Sequence, residues 1–416
     1  MENKWSEKMD DVIVIGGGPA GMMAAGTAGS REKKVKLFEK NEKLGKKLYI
    51  TGKGRCNFTN QADVNTLIEN VVNNSNFLYS AFYTMDSERL INFFEDLGLR
   101  SKVERGNRVF PTSDKASDVT KTLKKYLRRN NVIIEYQKVE QILTENSKIK
   151  GIETSDGTVH LSKTVILATG GYTYRPTGST GEGYQMAEDL GHTVNPLYPS
   201  LVPFELYESY ETKKLEGLSL KNIAIKIKDP HSEVIYEDFG DLVFTEDGVS
   251  GPVILSASSN LKEVKNKNYL LSIDLKPALD HETLDRRLQR DFKKYANKDF
   301  KNSLDDLLPS KIIPIFLKRT GIDLRKKVNQ INSQEREKII SLLKEFNYTI
   351  KDYSSFNEGI ITAGGVEVNE INPSTMESKL IRGLFFAGEI IDVDAYTGGF
   401  NLQIAFSTGY LAGLNA

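Results

Sequence analysis

The stretch Asp11-Val12-Ile13-Val14-Ile15-Gly16-Gly17-Gly18-Pro19-Ala20-Gly21 decides the fold. Val12 to Ile15 is a short apolar run, the pattern of a strand buried on both faces. It runs into a G-x-G-x-x-G loop, and small residues follow, with Ala24, Ala25 and Ala28 placed to let a helix lie close on a sheet. A second apolar run, Val35-Lys36-Leu37-Phe38, ends in Glu39. Gly16 permits the tight turn, Gly18 lets a pyrophosphate approach the backbone, and Gly21 allows close helix packing. The helix N-terminus offers unpaired N–H groups and a positive dipole end to phosphates. Glu39 stands where a carboxylate accepts hydrogen bonds from the adenosine ribose. An isolated Gly-rich loop is often an ordinary turn; strand, loop, helix and acid in this order predict a dinucleotide site holding Gly16, Gly18, Pro19, Ala20, Gly21 and Glu39.

The next segment separates FAD from NAD. An NAD domain proceeds to another helix and strand. Here the chain is Gly-punctuated and basic from Lys40 through Gly45-Lys46-Lys47 to Thr51-Gly52-Lys53-Gly54-Arg55-Cys56-Asn57. Such a segment suits an extended ligand whose pyrophosphate needs cations. Lys40, Lys47, Gly54, Arg55, Cys56 and Asn57 are therefore cofactor candidates, against the plainer reading of a solvated basic loop.

Residues 62–100 read as helical, with Leu90, Phe93, Phe94 and Leu97 at core spacing. A turn between short strands is expected at Glu104–Pro111, and an amphipathic helix over Asp114–Asn130. Val132–Tyr136 is strand-like, and Val139 sits where an FAD domain touches adenine through its backbone. Three alternating runs, around Ile142, Ile149–Glu153 and Val159–Leu161, predict a meander with Asp156-Gly157 at a hairpin. It leads into Thr164–Leu167 and then Ala168-Thr169-Gly170, a buried strand with three more cofactor candidates. Thr180–Ala187 opens a helix whose glycines serve close packing.

From about Asn195 the character changes. Residues 195–275 carry short alternating runs broken by Gly, Pro and Asp, the pattern of a small β-barrel-like insert. Residues 276–346 read as a charged helical insert. Residues 347–416 return to the first domain, so the FAD domain, begun by residues 1–194, is discontinuous and the fold class is α/β. In the return, Gly383–Ala387 is a buried strand ending in Gly388-Glu389, where an FAD enzyme places a carboxylate on the ribitol chain. Gly398-Gly399-Phe400-Asn401-Leu402-Gln403 starts the last helix, whose N-terminus favours the anionic reduced flavin through its dipole. Gly399, Asn401, Leu402 and Gln403 complete the candidate set.

Lysine plus arginine and aspartate plus glutamate are both 56, so no global field steers the chain toward nucleic acid or an anionic membrane. The first residues are polar, no apolar run reaches membrane length, and a cytoplasmic setting is expected. One cysteine, Cys56, excludes a dithiol relay within the chain. Four histidines with that cysteine make no Cys/His metal cluster, and no metal is expected.

With these blocks the chain resembles the bacterial flavoprotein family that includes aminoacetone-oxidase-like enzymes and bile-acid 3-dehydro-Δ4-type reductases. The resemblance is carried by Thr51–Asn57, Arg108-Val109-Phe110-Pro111, Ala387-Gly388-Glu389 and Gly398–Gln403, and spans nearly the whole length. It implies bound FAD, with Arg55, Cys56 and Asn57 near it and Asn401 to Gln403 at the flavin ring. It also implies oxidoreductase chemistry at flavin N5 between NAD(P)H, bound transiently for want of a second fingerprint, or an organic donor, and a small organic acceptor or oxygen. The residues name no catalytic acid or base; Tyr396 and Asn57 are candidate substrate-facing groups. Two rival functions remain: an FAD-dependent RNA-modifying enzyme, suggested by Lys124-Lys125, Arg128-Arg129, Arg286-Arg287 and Arg290 but opposed by the neutral balance, and a non-catalytic flavin-binding sensor. Oligomeric state is not legible.

Overall fold

The computed structural model describes residues 9–261, 263–265 and 267–416; most of the polar N-terminal segment lies outside them. The chain divides into two compact units, residues 1–200 with 356–416 and residues 201–355.

The first unit is built on a five-stranded parallel sheet ordered Leu384–Phe386, Val165–Leu167, Val12–Ile15, Val35–Phe38, Ile133–Glu135. Strands Val12–Ile15 and Val165–Leu167 are apolar throughout and wholly buried, as strands covered on both faces are. Helix Pro19–Ser30 and the C-terminal helix Phe400–Asn415 pack backbone to backbone. A Cβ on Gly409 would fall 2.4 Å from Ala20 O, and one on Gly413 2.4 Å from Ala24 O. The predicted meander is present as Val139–Glu145, Lys148–Thr154 and Val159–Leu161. Residues 62–100 are less uniformly helical than their composition suggests. Strand Val71–Asn73 interrupts them and pairs with Asp394–Ala395, a pairing with a distant segment that local periodicity does not encode.

The second unit is a closed six-stranded barrel in the order Phe204–Leu206, Gly248–Ser250, Val234–Phe244, Ser219–Lys228, Leu270–Asp274, Phe346–Tyr353. Helices His281–Lys294, Ile313–Thr320 and Ser333–Lys344 share one hydrophobic core with it. The sequence boundaries at 195, 276 and 347 differ from this division at three points. Val194–Ser200 pairs with Ile361–Val366 inside the first unit. Phe346–Tyr353 closes the barrel after the helices, with Phe346, Tyr348 and Ile350 all at 0% exposure. The helical segment is thus nested within the barrel, and the return begins at Phe356.

Two buried histidines in the first unit set a pH limit. His192 lies with Nδ1 3.0 Å from Glu370 Oε2 and Nε2 2.8 Å from Ser378 Oγ. The Ser378 oxygen already accepts the N–H groups of Leu380 and Ile381, so this serine is a structural donor and no nucleophile. His160 packs edge-on to Phe38 at 4.9 Å, and neither of its ring nitrogens has a partner among the described residues. Burial pushes the pKa of both imidazoles down; Lys36 adds to this at His160, while Glu370 opposes it at His192. Their contribution to stability is fully present above the unfolded value of about 6.5 and is lost as pH falls through the lowered folded values. The urea midpoint is expected to fall between pH 7.5 and pH 5, and to fall less in a His160→Phe protein. An equal drop in both proteins would show that His160 is not a source of the loss.

Candidate cofactor site

The site is assembled at the ends of the parallel strands. Gly16, at φ +105°, donates its N–H to Phe38 O at 2.8 Å. A Cβ there would lie 2.4 Å from Ala168 O, and one on Gly21 would lie 1.9 Å from Gly16 O. Both glycines are therefore required by close backbone approach. Gly18 is different: it caps helix Pro19–Ser30 in extended conformation (φ −77°, ψ −176°), and a Cβ there would meet nothing within 4 Å. The first turn carries no acid and Pro19 stands at its start. Met22 N–H to Gly18 O is an early intrahelical bond, leaving the amides of Ala20 and Gly21 unpaired in the manner of any helix N-terminus. The space a Gly18 side chain would fill is thus faced by donors and a positive dipole end. Glu39 is fixed beside it: Oε2 accepts from Gly17 N at 2.8 Å and Oε1 from Asn41 N at 2.8 Å.

Two buried oxygens add to this fit. Asn57 Oδ1 and Thr169 Oγ1 have no hydrogen-bond partner among the described residues, and an unpaired buried polar atom costs about 1–3 kcal/mol. Both belong to segments the sequence assigned to the cofactor. Ala168 is buried, and Gly170 follows at φ +77°.

The loop around Asn57 is held from outside. Arg55 ion-pairs with Glu104 and, at 2.6 Å, with Asp114, while its guanidinium lies 4.3 Å from the Phe110 ring centroid. Glu104 and then Asp114 raise its pKa further. Its guanidinium is thus paired by two carboxylates, which hold the loop that carries Cys56 and Asn57. Gly54 O accepts the Ala116 N–H at 2.8 Å, which ties the same loop to the helix Ala116–Arg129. Cys56 is fully buried at φ +61°, and burial pushes its thiol pKa up. A protonated, inaccessible thiol is neither nucleophile nor redox centre. Native protein is expected to resist Ellman's reagent and to react once unfolded in urea; prompt labelling of the native state would contradict this placement.

The C-terminal return meets the loop at Gly388, φ +79°, where a Cβ would lie 2.7 Å from Ala20 Cβ. Glu389 takes a 2.9 Å ion pair from Lys47 and the Thr362 N–H at 2.9 Å, with Thr173 Oγ1 at 3.3 Å. Thr173 and Thr362 were not singled out by the sequence, since isolated threonines carry no spacing signal. Lys40 is turned away, bonded to Glu182 at 2.6 Å and Thr180 at 2.5 Å. Val139 is buried in the meander, its backbone in register with Thr154. Gly399 caps the last helix at φ +100°, against the Thr59 backbone.

Asn401 closes a ring with Ala395 N at 2.9 Å and Ala395 O at 2.7 Å. Gln403 is wholly buried, accepting from Thr59 Oγ1 at 2.5 Å and donating to Met85 O and Ser407 Oγ at 2.8 Å. These two side chains hold the start of the helix, and Leu402 beside them is half-buried. Tyr396 is half-buried, with its N–H on Asn70 O at 3.0 Å.

Residues 10–415 match the family described as HI0933-like protein Rossmann domain. The chain belongs to the HI0933-like family. It is 30% identical to the 3-dehydro-bile acid delta(4,6)-reductase of Clostridium scindens, covering 97% of this chain and 98% of that one. It is 29% identical to the ribosomal RNA dihydrouridine synthase of Escherichia coli, over 96% of each. Among solved structures, the 3-ketosteroid-delta4-(5alpha)-dehydrogenase of Rhodococcus jostii superposes with a TM-score of 0.52 at 15% identity, covering 100% of this chain and 99% of that one. That likeness is one of fold. This HI0933-like protein is an FAD-dependent oxidoreductase. Among its described residues no helix is long and apolar enough to cross a membrane, and no group of three or more His, Cys, Asp or Glu could hold a metal ion.

Proposed function

We propose that this protein reduces a carbon–carbon double bond conjugated to a carbonyl, using hydride from NAD(P)H delivered by way of FAD. The observation that carries the reading is chemical. Two full-length relatives are named for delta(4,6) reduction of a 3-dehydro-bile acid and for making dihydrouridine. A 3-oxo steroid with a Δ4 bond and a uracil ring both present an alkene activated by a carbonyl, so one hydride chemistry serves both. Bound FAD supplies two-electron transfer at N5.

This chain's residues do the rest. The Gly16–Gly21 loop and the start of helix Pro19–Ser30 bind the pyrophosphate, and Glu39 the adenosine ribose. Asn57 and Thr169 offer their unpaired oxygens to the cofactor. Lys47 and Glu389, paired at 2.9 Å, would hold the ribitol chain, and the first turn of helix Phe400–Asn415 would offer its dipole to negative charge developing on the reduced ring. With a single nucleotide fingerprint, the nicotinamide binds only transiently.

The test is anaerobic stopped-flow. NADH or NADPH bleaches the flavin, and a 3-oxo-Δ4 steroid or free uridine is then mixed in. Reoxidation by the steroid with formation of the saturated ketone supports the reading. Flavin that stays reduced with every conjugated acceptor but reoxidises in oxygen would replace it with an oxidase, and FAD that no donor reduces would favour a sensor.

A further inference from the structure

The balanced composition conceals a locally basic surface. From Val119 to Ile134 there are five cations and no acid. In the helix Ala116–Arg129, Val119, Leu123 and Leu127 are buried. Lys121, Lys124, Lys125 and Arg128 recur at i, i+3, i+4 and i+7 on the opposite face, followed by Arg129. Like charges at i, i+4 destabilise a helix by about 0.2–0.5 kcal/mol per pair, and this face holds three such pairs. Lys121 has Asp118 at 3.2 Å and Lys125 is pinned to Leu97 O at 2.8 Å. Lys124, Arg128 and Arg129 have no ion pair among the described residues.

A second cluster joins them. Exposed Arg31, Lys33 and Lys34 follow helix Pro19–Ser30, with Glu32 the acid among them. The two helices run parallel and in contact: a Cβ on Gly26 would fall 2.2 Å from the Tyr126 ring and one on Gly29 2.7 Å from Asn130 O. Their C-terminal ends therefore abut. Helix dipoles account for cations in the last turn, as at Arg128 and Arg129, but the effect fades within that turn and does not account for Lys124.

We propose that this face docks the phosphate backbone of an RNA substrate. The inference rests on the reductase reading above and names RNA-borne uracil as its acceptor. A membrane surface fits less well, because an interfacial helix needs an exposed apolar face and here that face is in the core. Helix Pro19–Ser30 has 12 residues, so the patch lies about 18 Å along its axis from the phosphate loop. It grips nucleotides flanking the target, and phosphate contacts of this kind fix register without reading sequence.

The test compares the FAD-loaded protein with an Arg31→Gln/Lys124→Gln/Arg128→Gln/Arg129→Gln variant in filter binding to transcribed ribosomal RNA across a salt series. A control variant, Lys293→Gln/Lys301→Gln/Lys318→Gln/Lys338→Gln, loses the same charge elsewhere. The patch variant is expected to lose about tenfold or more in affinity and to flatten the log K against log salt slope by roughly 3. FAD content and NAD(P)H bleaching should not change, and the control should keep the wild-type slope. If both variants lose affinity equally, or neither does, the patch is wrong while RNA as substrate stands. If wild type binds phosphatidylglycerol vesicles but not RNA, the RNA assignment fails. Steroid reduction in that case would leave the reductase reading intact.

Discussion

A Gly18→Val protein is expected to fold as the wild type does in the absence of FAD and to bind FAD at least a hundredfold more weakly. The backbone at Gly18 is extended, a conformation valine favours, and its Cβ would meet nothing within 4 Å. The apo-protein therefore has no reason to object. The space that valine fills is the one the pyrophosphate needs against the helix N-terminus. Hydrogen bonds to a charged group contribute about 1.5–3 kcal/mol each, so losing two gives about 3–6 kcal/mol, or two to four decades in Kd. Gly21→Ala is the informative contrast. Its methyl would sit 1.9 Å from Gly16 O, so it should destabilise the apo-protein itself by about 1–3 kcal/mol. Equal thermal shifts for the two apo-variants would show that Gly18 is a packing glycine and no cradle.

Glu389→Leu is expected to lower stability by about 1–3 kcal/mol and to release FAD. Glu389 and Lys47 are 18% and 21% exposed, so the roughly 3–5 kcal/mol of breaking a fully buried pair is reduced by solvent. Leucine also leaves the Thr362 N–H, now 2.9 Å from the carboxylate, without its acceptor. Glu389→Gln keeps that acceptor and should fall between the two. Lys47→Met/Glu389→Leu should recover part of the stability, because it removes the stranded ammonium, but should not recover FAD. Urea midpoints with and without FAD separate the two effects; a Glu389→Leu protein as stable as wild type would remove the pair from the account.

What was legible in the sequence is what backbone conformation demands locally. Gly16 and Gly21 tolerate no Cβ, and a loop that tight between an apolar strand and a small-residue helix has few other readings. The glycine at 388, at φ +79° against Ala20, is a local demand of the same kind. Side-chain destinations were not. The pairing of Arg55 with Glu104 and Asp114, distant in sequence, leaves no mark on the local pattern. Nor do the bonds of Gln403 to Thr59, Met85 and Ser407. The barrel's closing strand shows clean alternation at Phe346, Tyr348 and Ile350, yet its partner Leu270–Asp274 lies across the whole helical segment, and strand pairing at that range leaves no local mark. The neutral composition hid the basic helix face because charge balance is a property of the whole chain and docking a property of one surface.

The central claim is that this chain holds FAD in its first unit and passes hydride to a conjugated alkene. The most direct measurement is an anaerobic absorbance spectrum of the purified protein, taken before NADPH, after it, and again after a 3-oxo-Δ4 steroid and then an RNA transcript are added. The account predicts oxidised-flavin bands that bleach with the nicotinamide and return with a conjugated acceptor, one alkene reduced per flavin reoxidised. A protein that shows no flavin bands even after incubation with FAD would contradict it outright.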